Sequence, residues 1–174
     1  IAAGGGSAGG HVAACAGGIK GLEAKGDDGK ISSVPNAMVL FNPPCVMAPV
    51  PERKDFLNPE NIAGLRARMG VPLEQLSPWH HVRKGLPPTL VLHGEADTTV
   101  KFWTAESFVR KMKKAGNRAE LAAYPGEPHG FFNYGRRGNK MFIATMRRAD
   151  EFLASLGWLK GKPSIEKFTE RKKQ

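Results

Sequence analysis

Residues 1–15 read IAAGGGSAGGHVAAC and contain the pattern G-x-S-x-G around Ser7. The apolar stub Ile1–Ala3 predicts a strand, and Ala8–Ala16 predicts the helix that follows it. A serine on a tight turn between a strand and a helix has strained backbone geometry, and its hydroxyl is exposed above the sheet edge. The pattern therefore predicts that Ser7 is a nucleophile. It also predicts that the N–H of Ala8 donates a hydrogen bond to an oxyanion.

The glycine-rich motif alone leaves other interpretations open. Such a run is also typical of a flexible loop or of a phosphate-binding turn. A phosphate-binding loop has Lys and then Ser or Thr after its last glycine, whereas here Gly10 is followed by His11. The role of Ser7 therefore depends on partner residues elsewhere in the chain.

Further short apolar runs, bounded by Pro and Gly, predict strands buried in a parallel sheet, at Ala37–Phe41, Thr89–His93 and Ala119–Tyr124. Helical patterns alternate with these runs. One helix ends near Gly116 and has an apolar face formed by Ala105, Phe108, Val109 and Met112. A longer helix from about Lys140 to Leu156 has an apolar stripe of Phe142, Met146, Ala149, Leu153 and Leu156. The alternation predicts an α/β fold with a mainly parallel sheet flanked by helices.

Residues 1–174 are expected to form a single α/β domain with an insertion at about residues 45–85, where prolines interrupt the alternation. Within the insertion, Pro59–Met69 predicts a short helix with Asn58 as its cap. Such an insertion either walls the active site or is a plain excursion over the surface, and the sequence favours neither.

Two polar residues follow predicted strands in positions suited to assist a serine. A serine hydroxyl needs a base, and the base needs a third group that orients it. Asp97 follows the third predicted strand and His129 follows the fourth, at the sheet edge where such sites form. An aspartate at this position is also typical of a helix cap, and Glu95 on the same turn is a rival acid. A lone histidine is often a surface or packed side chain. The order Ser7, Asp97, His129 is that of the α/β-hydrolase fold.

Four stretches then carry a resemblance to a known superfamily: GGGSAGGHVAA (4–14), PPTLVLHGEADTTV (87–100), YPGEPHGFFN (124–133) and DEFLASLGWL (150–159). They resemble α/β-hydrolases, in particular bacterial carboxylesterases and carbohydrate esterases. The resemblance implies that Asp97, rather than Glu95, is the acid and that His129 is the base. It also implies that strands and a second oxyanion loop precede Ser7. We therefore expect a C-terminal part of the fold that is inactive or very weak alone, unless a missing N-terminal half or a partner chain completes it.

The sequence thus predicts a serine esterase that hydrolyses carboxylic esters through an acyl-enzyme, with no cofactor and no metal. The expected substrate is a small-molecule or carbohydrate ester, and the resemblance suggests a short acyl group such as acetyl. Two alternatives remain: a serine peptidase of the prolyl-oligopeptidase type, and a non-catalytic hydrolase-like binding protein.

The composition restricts the class of protein further. The 174 residues carry a formal net charge of +10, but the basic residues are spread along the chain, with short clusters at Arg110–Lys114, Arg136–Arg137 and Arg171–Lys173. No nucleic-acid-binding motif accompanies them, so nucleic acid is not an expected partner. No apolar run approaches the ~20 residues that cross a bilayer, so a membrane is not expected either.

Several properties stay open. Cys15 and Cys45 have no zinc-site spacing, and they are either two free thiols or one disulfide. The oligomeric state is undetermined. The compartment, whether bacterial cytoplasm, periplasm or outside the cell, is undetermined as well.

Overall fold

A computed structural model describes residues 1–21 and 23–165, and a parallel sheet of four strands forms its centre. The strands lie side by side in chain order: β1 (Ala2–Gly6), β2 (Ala37–Phe41), β3 (Thr89–Gly94) and β4 (Ala119–Tyr124). In register, Gly5 lies opposite Leu40, which lies opposite Val91. Because all four strands run parallel, their carboxyl ends meet at one edge of the sheet.

Helices follow the strands and cover both faces of the sheet. They are α1 (Ala8–Gly18), α2 (Pro59–Met69), α3 (Phe102–Lys114) and α4 (Lys140–Ser155). Short 3₁₀ turns lie at Leu73–Leu76, Pro78–His81 and Arg137–Asn139. The predicted α/β fold with a parallel sheet flanked by helices is confirmed.

The first face of the sheet is covered by α1 and α3. Met38, Leu40 and Val91 point to this side and belong to one cluster with Phe108 and Met112 of α3. All four apolar positions predicted for the buried face of α3 are buried. Burial of this kind is the main favourable contribution to folding.

The second face is covered by α4, and three residues of the predicted apolar stripe, Ala149, Leu153 and Leu156, pack on this side of the sheet. Ala149 and Phe152 pack against Val39, Leu90 and Leu92, which alternate with the first-face residues. Met146, expected in the buried stripe, is 38% exposed. The apolar residues of α4 cover more than one face of the helix, so their periodicity did not fix which edge of the stripe meets the sheet.

The segment between β2 and β3 is anchored at its ends and exposed in its middle. Val46, Val50 and Trp79 belong to the first-face core, so these ends are not a plain surface excursion. The middle is α2, none of whose side chains is buried. The Asn58 side chain accepts a hydrogen bond of 2.8 Å from the N–H of Asn61, as predicted for the cap.

Three observations concern features weighed in the sequence. In residues 1–21 and 23–165, no helix is long and apolar enough to span a membrane, and no cluster of metal-ligating side chains is present. Cys15 and Cys45 are free thiols, and burial raises the pKa of Cys15 to about 11. The basic run Arg171–Lys173 lies outside the described residues.

Candidate active site

Ser7 occupies a strained turn between β1 and α1. Its backbone has φ 53° and ψ −117°, which is uncommon for a residue with a side chain. Its N–H donates to the carbonyl of Phe41 at 2.8 Å, which ties the turn to the end of β2. A Cβ at Gly5 would lie 2.6 Å from the carbonyl carbon of Gly9, so only glycine lets strand and helix approach this closely. A Cβ at Gly9, the other glycine of the motif, would meet nothing within 4 Å.

The structure brings the three predicted site residues into one hydrogen-bonded chain. The Ser7 hydroxyl lies 2.9 Å from Nε2 of His129, and Nδ1 of that ring lies 2.7 Å from Oδ2 of Asp97. Because an ionised carboxylate only accepts hydrogen bonds, the ring nitrogen facing it is the N–H donor. Nε2 of His129 is then free to accept the serine proton.

Asp97 is held by donors on both of its oxygens. Oδ1 accepts from the N–H groups of Thr99 and Val100, each at 2.9 Å, and Oδ2 accepts from His129 and from the side-chain amide of Asn42. Burial by itself would raise the pKa of this carboxyl, which is only 3% exposed. The hydrogen bonds outweigh burial and leave the pKa of Asp97 below its ordinary value. The side chain is therefore a carboxylate at neutral pH.

The rival acid is not in this chain of contacts. Glu95 is exposed on the same turn, whereas Asp97 is buried against His129. The other histidines bind backbone carbonyls instead of Ser7: His11 contacts Leu76, and His80 contacts Pro49. The imidazoles of His11 and His80 therefore hydrogen-bond the insertion and not Ser7.

The loop that carries His129 is fixed against residues 94–97, the turn that carries Asp97 and is called the acid turn below. The N–H of Ala96 donates to the carbonyl of Glu127 at 3.1 Å. A Cβ at Gly94 would lie 2.1 Å from that same carbonyl, so the two turns touch only because residue 94 is glycine. Beyond the histidine, Phe131 is buried against Tyr124 with ring centroids 4.8 Å apart. These contacts set the position of the imidazole before any substrate is present.

Ala8 is the first residue of α1, directly after the serine. The N–H groups of the first helical turn have no acceptor within their own helix. They also lie at the positive end of the helix dipole. The N–H of Ala8 is therefore available to a negative oxygen formed next to Ser7.

A cavity of about 590 Å³ opens beside Ser7. Part of its wall comes from one face of α2, with Asn61, Leu65 and Met69, and Phe56 precedes that helix. The rest comes from Ser7 and α1, from the start of the insertion and from residues 99–104, with side chains that include Val46, Met47, Val100 and Thr104. The insertion therefore lines the space in front of the serine, in addition to anchoring itself in the core.

Two buried polar residues of this site were not recognised from the sequence. Asn42 contacts Asp97, and His93 lies 3.4 Å from the same carboxylate oxygen. Asn42 follows the predicted strand Ala37–Phe41, and Pro43 and Pro44 after it indicate only that the strand ends there. Its one available signal was that it is a polar residue at the carboxyl end of a buried strand, as Asp97 and His129 are at theirs.

Comparison with known proteins gives a family and several structural matches. The model of the prolyl oligopeptidase family matches residues 66–156. The propionate-bound structure of a thermophilic esterase, Est2 of the planctomycete Thermogutta terrifontis, is 46% identical over 94% of this chain, with a TM-score of 0.83. The same esterase phosphonylated by sarin is 46% identical over 93% of the chain, with a TM-score of 0.87.

This chain spans only part of those structures, 58% of the propionate-bound esterase and 59% of the sarin adduct. No curated protein matches the sequence.

Proposed function

The chain belongs to the prolyl oligopeptidase family of the α/β-hydrolase superfamily, and from this membership and its geometry we propose that it is a serine hydrolase of carboxylic esters. The observation that carries the proposal is the hydrogen-bonded chain from Ser7 through His129 to Asp97. In this proposal Ser7 is the nucleophile, His129 the base and Asp97 the acid. The esterase structures at 46% identity support ester chemistry.

The first half of the proposed reaction forms an acyl-enzyme. As Oγ of Ser7 attacks the ester carbonyl, Nε2 of His129 takes the hydroxyl proton. The carbonyl oxygen becomes an oxyanion, which accepts a hydrogen bond from the N–H of Ala8. The carboxylate of Asp97 holds the ring tautomer and stabilises the imidazolium that forms. The first half ends when His129 protonates the leaving alcohol as the ester C–O bond breaks, and the acyl group stays on Ser7.

The second half releases the acid. The imidazole then removes a proton from a water molecule that attacks the acyl carbonyl. Collapse of this second tetrahedral intermediate returns the proton to Ser7 and frees the carboxylic acid.

A short acyl group fits the proposal best. The similar esterase has been solved with propionate and with butyrate bound, which are short-chain carboxylates. In this chain the cavity beside Ser7 measures about 590 Å³ and its α2 wall presents the apolar side chains of Leu65 and Met69. We propose a small-molecule or carbohydrate ester as substrate, with the acyl chain against this wall.

We further propose that full activity needs a second oxyanion donor that these 174 residues do not supply. Ala8 provides one N–H, and about two fifths of the length of the similar esterases has no counterpart in this chain. Loss of one oxyanion donor lowers kcat about 10²- to 10³-fold. We expect the chain alone to hydrolyse 4-nitrophenyl acetate slowly. Full esterase rates from the purified chain would contradict this part of the proposal.

The central test uses a fluorophosphonate probe, since the similar esterase forms adducts with organophosphates. We expect the probe to label Ser7, and mass spectrometry of the peptide identifies the modified residue. Ser7→Ala should abolish labelling and ester hydrolysis while the circular dichroism spectrum stays unchanged. Ser33→Ala, at an exposed serine, is the matched control and should behave as wild type. Labelling retained in Ser7→Ala would show a different nucleophile, and a folded wild-type chain that is never labelled would favour a non-catalytic binding protein.

Peptide hydrolysis is the second candidate, because the matching family model is that of prolyl oligopeptidases. A Ser–His–Asp triad, here Ser7, His129 and Asp97, also cleaves amides when the pocket accepts a peptide. Comparing kcat/KM for 4-nitrophenyl butyrate with that for dipeptide 4-nitroanilides decides between the two. We expect a clear preference for the ester, and a preference for the dipeptide anilide would replace the esterase assignment.

A further inference from the structure

Asn42 stands at the carboxyl end of β2 in an unusual backbone conformation. Its φ is 45°, in the left-handed region, which asparagine tolerates better than most residues with a side chain. Its N–H donates to the carbonyl of Leu92 at 2.9 Å, and the Ser7 N–H binds the neighbouring carbonyl of Phe41. The residue therefore lies between the serine turn and the acid turn, and it is completely buried.

The Asn42 side chain is committed to the acid. Its amide nitrogen donates to Oδ2 of Asp97, the same oxygen that accepts from Nδ1 of His129. Its own oxygen, Oδ1, is buried and has no hydrogen-bond partner within the described residues. An unpaired buried acceptor is unfavourable. The amide is held in this position even though only its nitrogen end is satisfied.

His93 does not duplicate this contact. Its Nε2 lies 2.8 Å from the carbonyl of Val100 and 3.4 Å from Oδ2 of Asp97. Burial lowers the pKa of His93 despite the nearby carboxylate, so the ring is neutral and its Nε2 proton points to the carbonyl. Among the described side chains, Asn42 is thus the close donor to Oδ2 besides His129.

We propose that Asn42 is a positioning residue that fixes the plane of the Asp97 carboxylate and, through it, the imidazole of His129. Two backbone N–H groups hold Oδ1, and Asn42 prevents the carboxylate from pivoting about them. Asn42 is absent from the lining of the cavity beside Ser7, so it acts on the chemical step and not on substrate binding. This inference rests on the proposed triad function of Ser7, Asp97 and His129.

Two substitutions separate this role from a role in the turn. Asn42→Gly suits the positive φ and removes only the side chain. Asn42→Asp keeps the size of the side chain and replaces the donor with a second carboxylate. We expect kcat of residual 4-nitrophenyl acetate hydrolysis to fall about 10- to 100-fold in both, with KM changed less than about twofold, because a misplaced catalytic group costs up to this much. A residue that served only the turn would leave kcat unchanged in Asn42→Gly.

Asn117→Ala is the matched control. Asn117 is also a buried asparagine, but it holds the backbone of Gly85 and Leu86, away from the triad. We expect it to lower Tm without a fall in kcat. If Asn117→Ala loses as much kcat as the Asn42 variants at an equal loss of Tm, the positioning role is overturned.

A proton NMR measurement tests the inference independently of turnover. The N–H of an imidazole bonded to a carboxylate gives a far-downfield resonance, which His129→Ala would identify by its loss. We expect this resonance in the wild-type chain, and we expect it to shift or to exchange faster with water in Asn42→Gly and Asn42→Asp. An unchanged resonance in both variants would overturn the role of Asn42. An altered resonance in a folded chain whose Ser7 is never labelled by the fluorophosphonate probe would instead contradict the esterase proposal and still support the positioning of His129 by Asn42.

Discussion

The helices α2 and α3 are similar in length, with 11 and 13 residues, but they are used in opposite ways. Six side chains of α3 are buried, and four of them, Ala105, Phe108, Val109 and Met112, belong to the core on the first face of the sheet. No side chain of α2 is buried. Instead, one face of α2 lines the cavity beside Ser7. Helix α3 stabilises the scaffold, and helix α2 shapes the space in which a substrate would bind.

This difference shows where the fold permits variation. The segment that carries α2 is held by its ends, where Val46 and Trp79 belong to the core. Because little of the folding free energy depends on α2 itself, its residues can change the pocket without unfolding the domain. A substitution of a buried residue in α3 instead removes packing on which the sheet depends.

The largest effect is expected in α3. Phe108→Ala removes a side chain that is 2% exposed, so the free energy of unfolding should fall by about 3–5 kcal/mol. Urea denaturation followed by circular dichroism measures this loss. Lys113→Ala, on the exposed face of the same helix, should change the free energy by less than about 0.5 kcal/mol. A small loss in Phe108→Ala would mean that α3 is not the scaffold helix described above.

A smaller and local effect is expected at the start of α2. Asn58→Ala removes the acceptor for the N–H of Asn61 and should destabilise the helix by about 1 kcal/mol. Because α2 buries no side chain, we expect faster amide hydrogen exchange within α2 and no measurable change in Tm. Asn58→Ser retains a cap and should restore slow exchange. A drop in Tm of several degrees would show that α2 is coupled to global unfolding.

The smallest effect is expected in the pocket. Leu65→Ala shortens the apolar wall, so contact with the outer part of a butyryl chain is lost while an acetyl group is unaffected. About 0.8 kcal/mol per buried CH₂ corresponds to a roughly fourfold decrease in the butyrate-to-acetate ratio of kcat/KM. Arg66→Ala, which changes a side chain outside this lining, is the control. An unchanged ratio in Leu65→Ala would place the acyl chain elsewhere.

Much of the architecture was predictable because it depends on local patterns. Short apolar runs between Pro and Gly predicted the strands, and Asn58 followed by Pro59 predicted the start of α2. The strand predicted at Ile1–Ala3 is too short, since β1 continues to Gly6. Glycines have low strand propensity, so this extension follows from pairing with β2 and not from the glycines themselves.

The assignments that were wrong or missing depend on which side of a helix faces the sheet and on contacts between residues distant in sequence. The sequence missed Phe152 of α4, which packs against the sheet, and placed Met146, which is 38% exposed, in the buried stripe. The role of Asn42 was invisible because Asp97 lies 55 residues further along the chain. A pattern within one segment carries no information about such a distant neighbour.

The sequence by itself determined the order of strands and helices, the glycine-rich serine turn and the three candidates Ser7, Asp97 and His129. These follow from periodicity, turn chemistry and chain order, which are properties of neighbouring residues. Only the tertiary structure decided that the three side chains form one hydrogen-bonded chain, that Asn42 donates to its acid and that α2 walls the cavity. The physical reason is that parallel strands gather their carboxyl ends at one edge, where residues far apart in sequence come within hydrogen-bond distance.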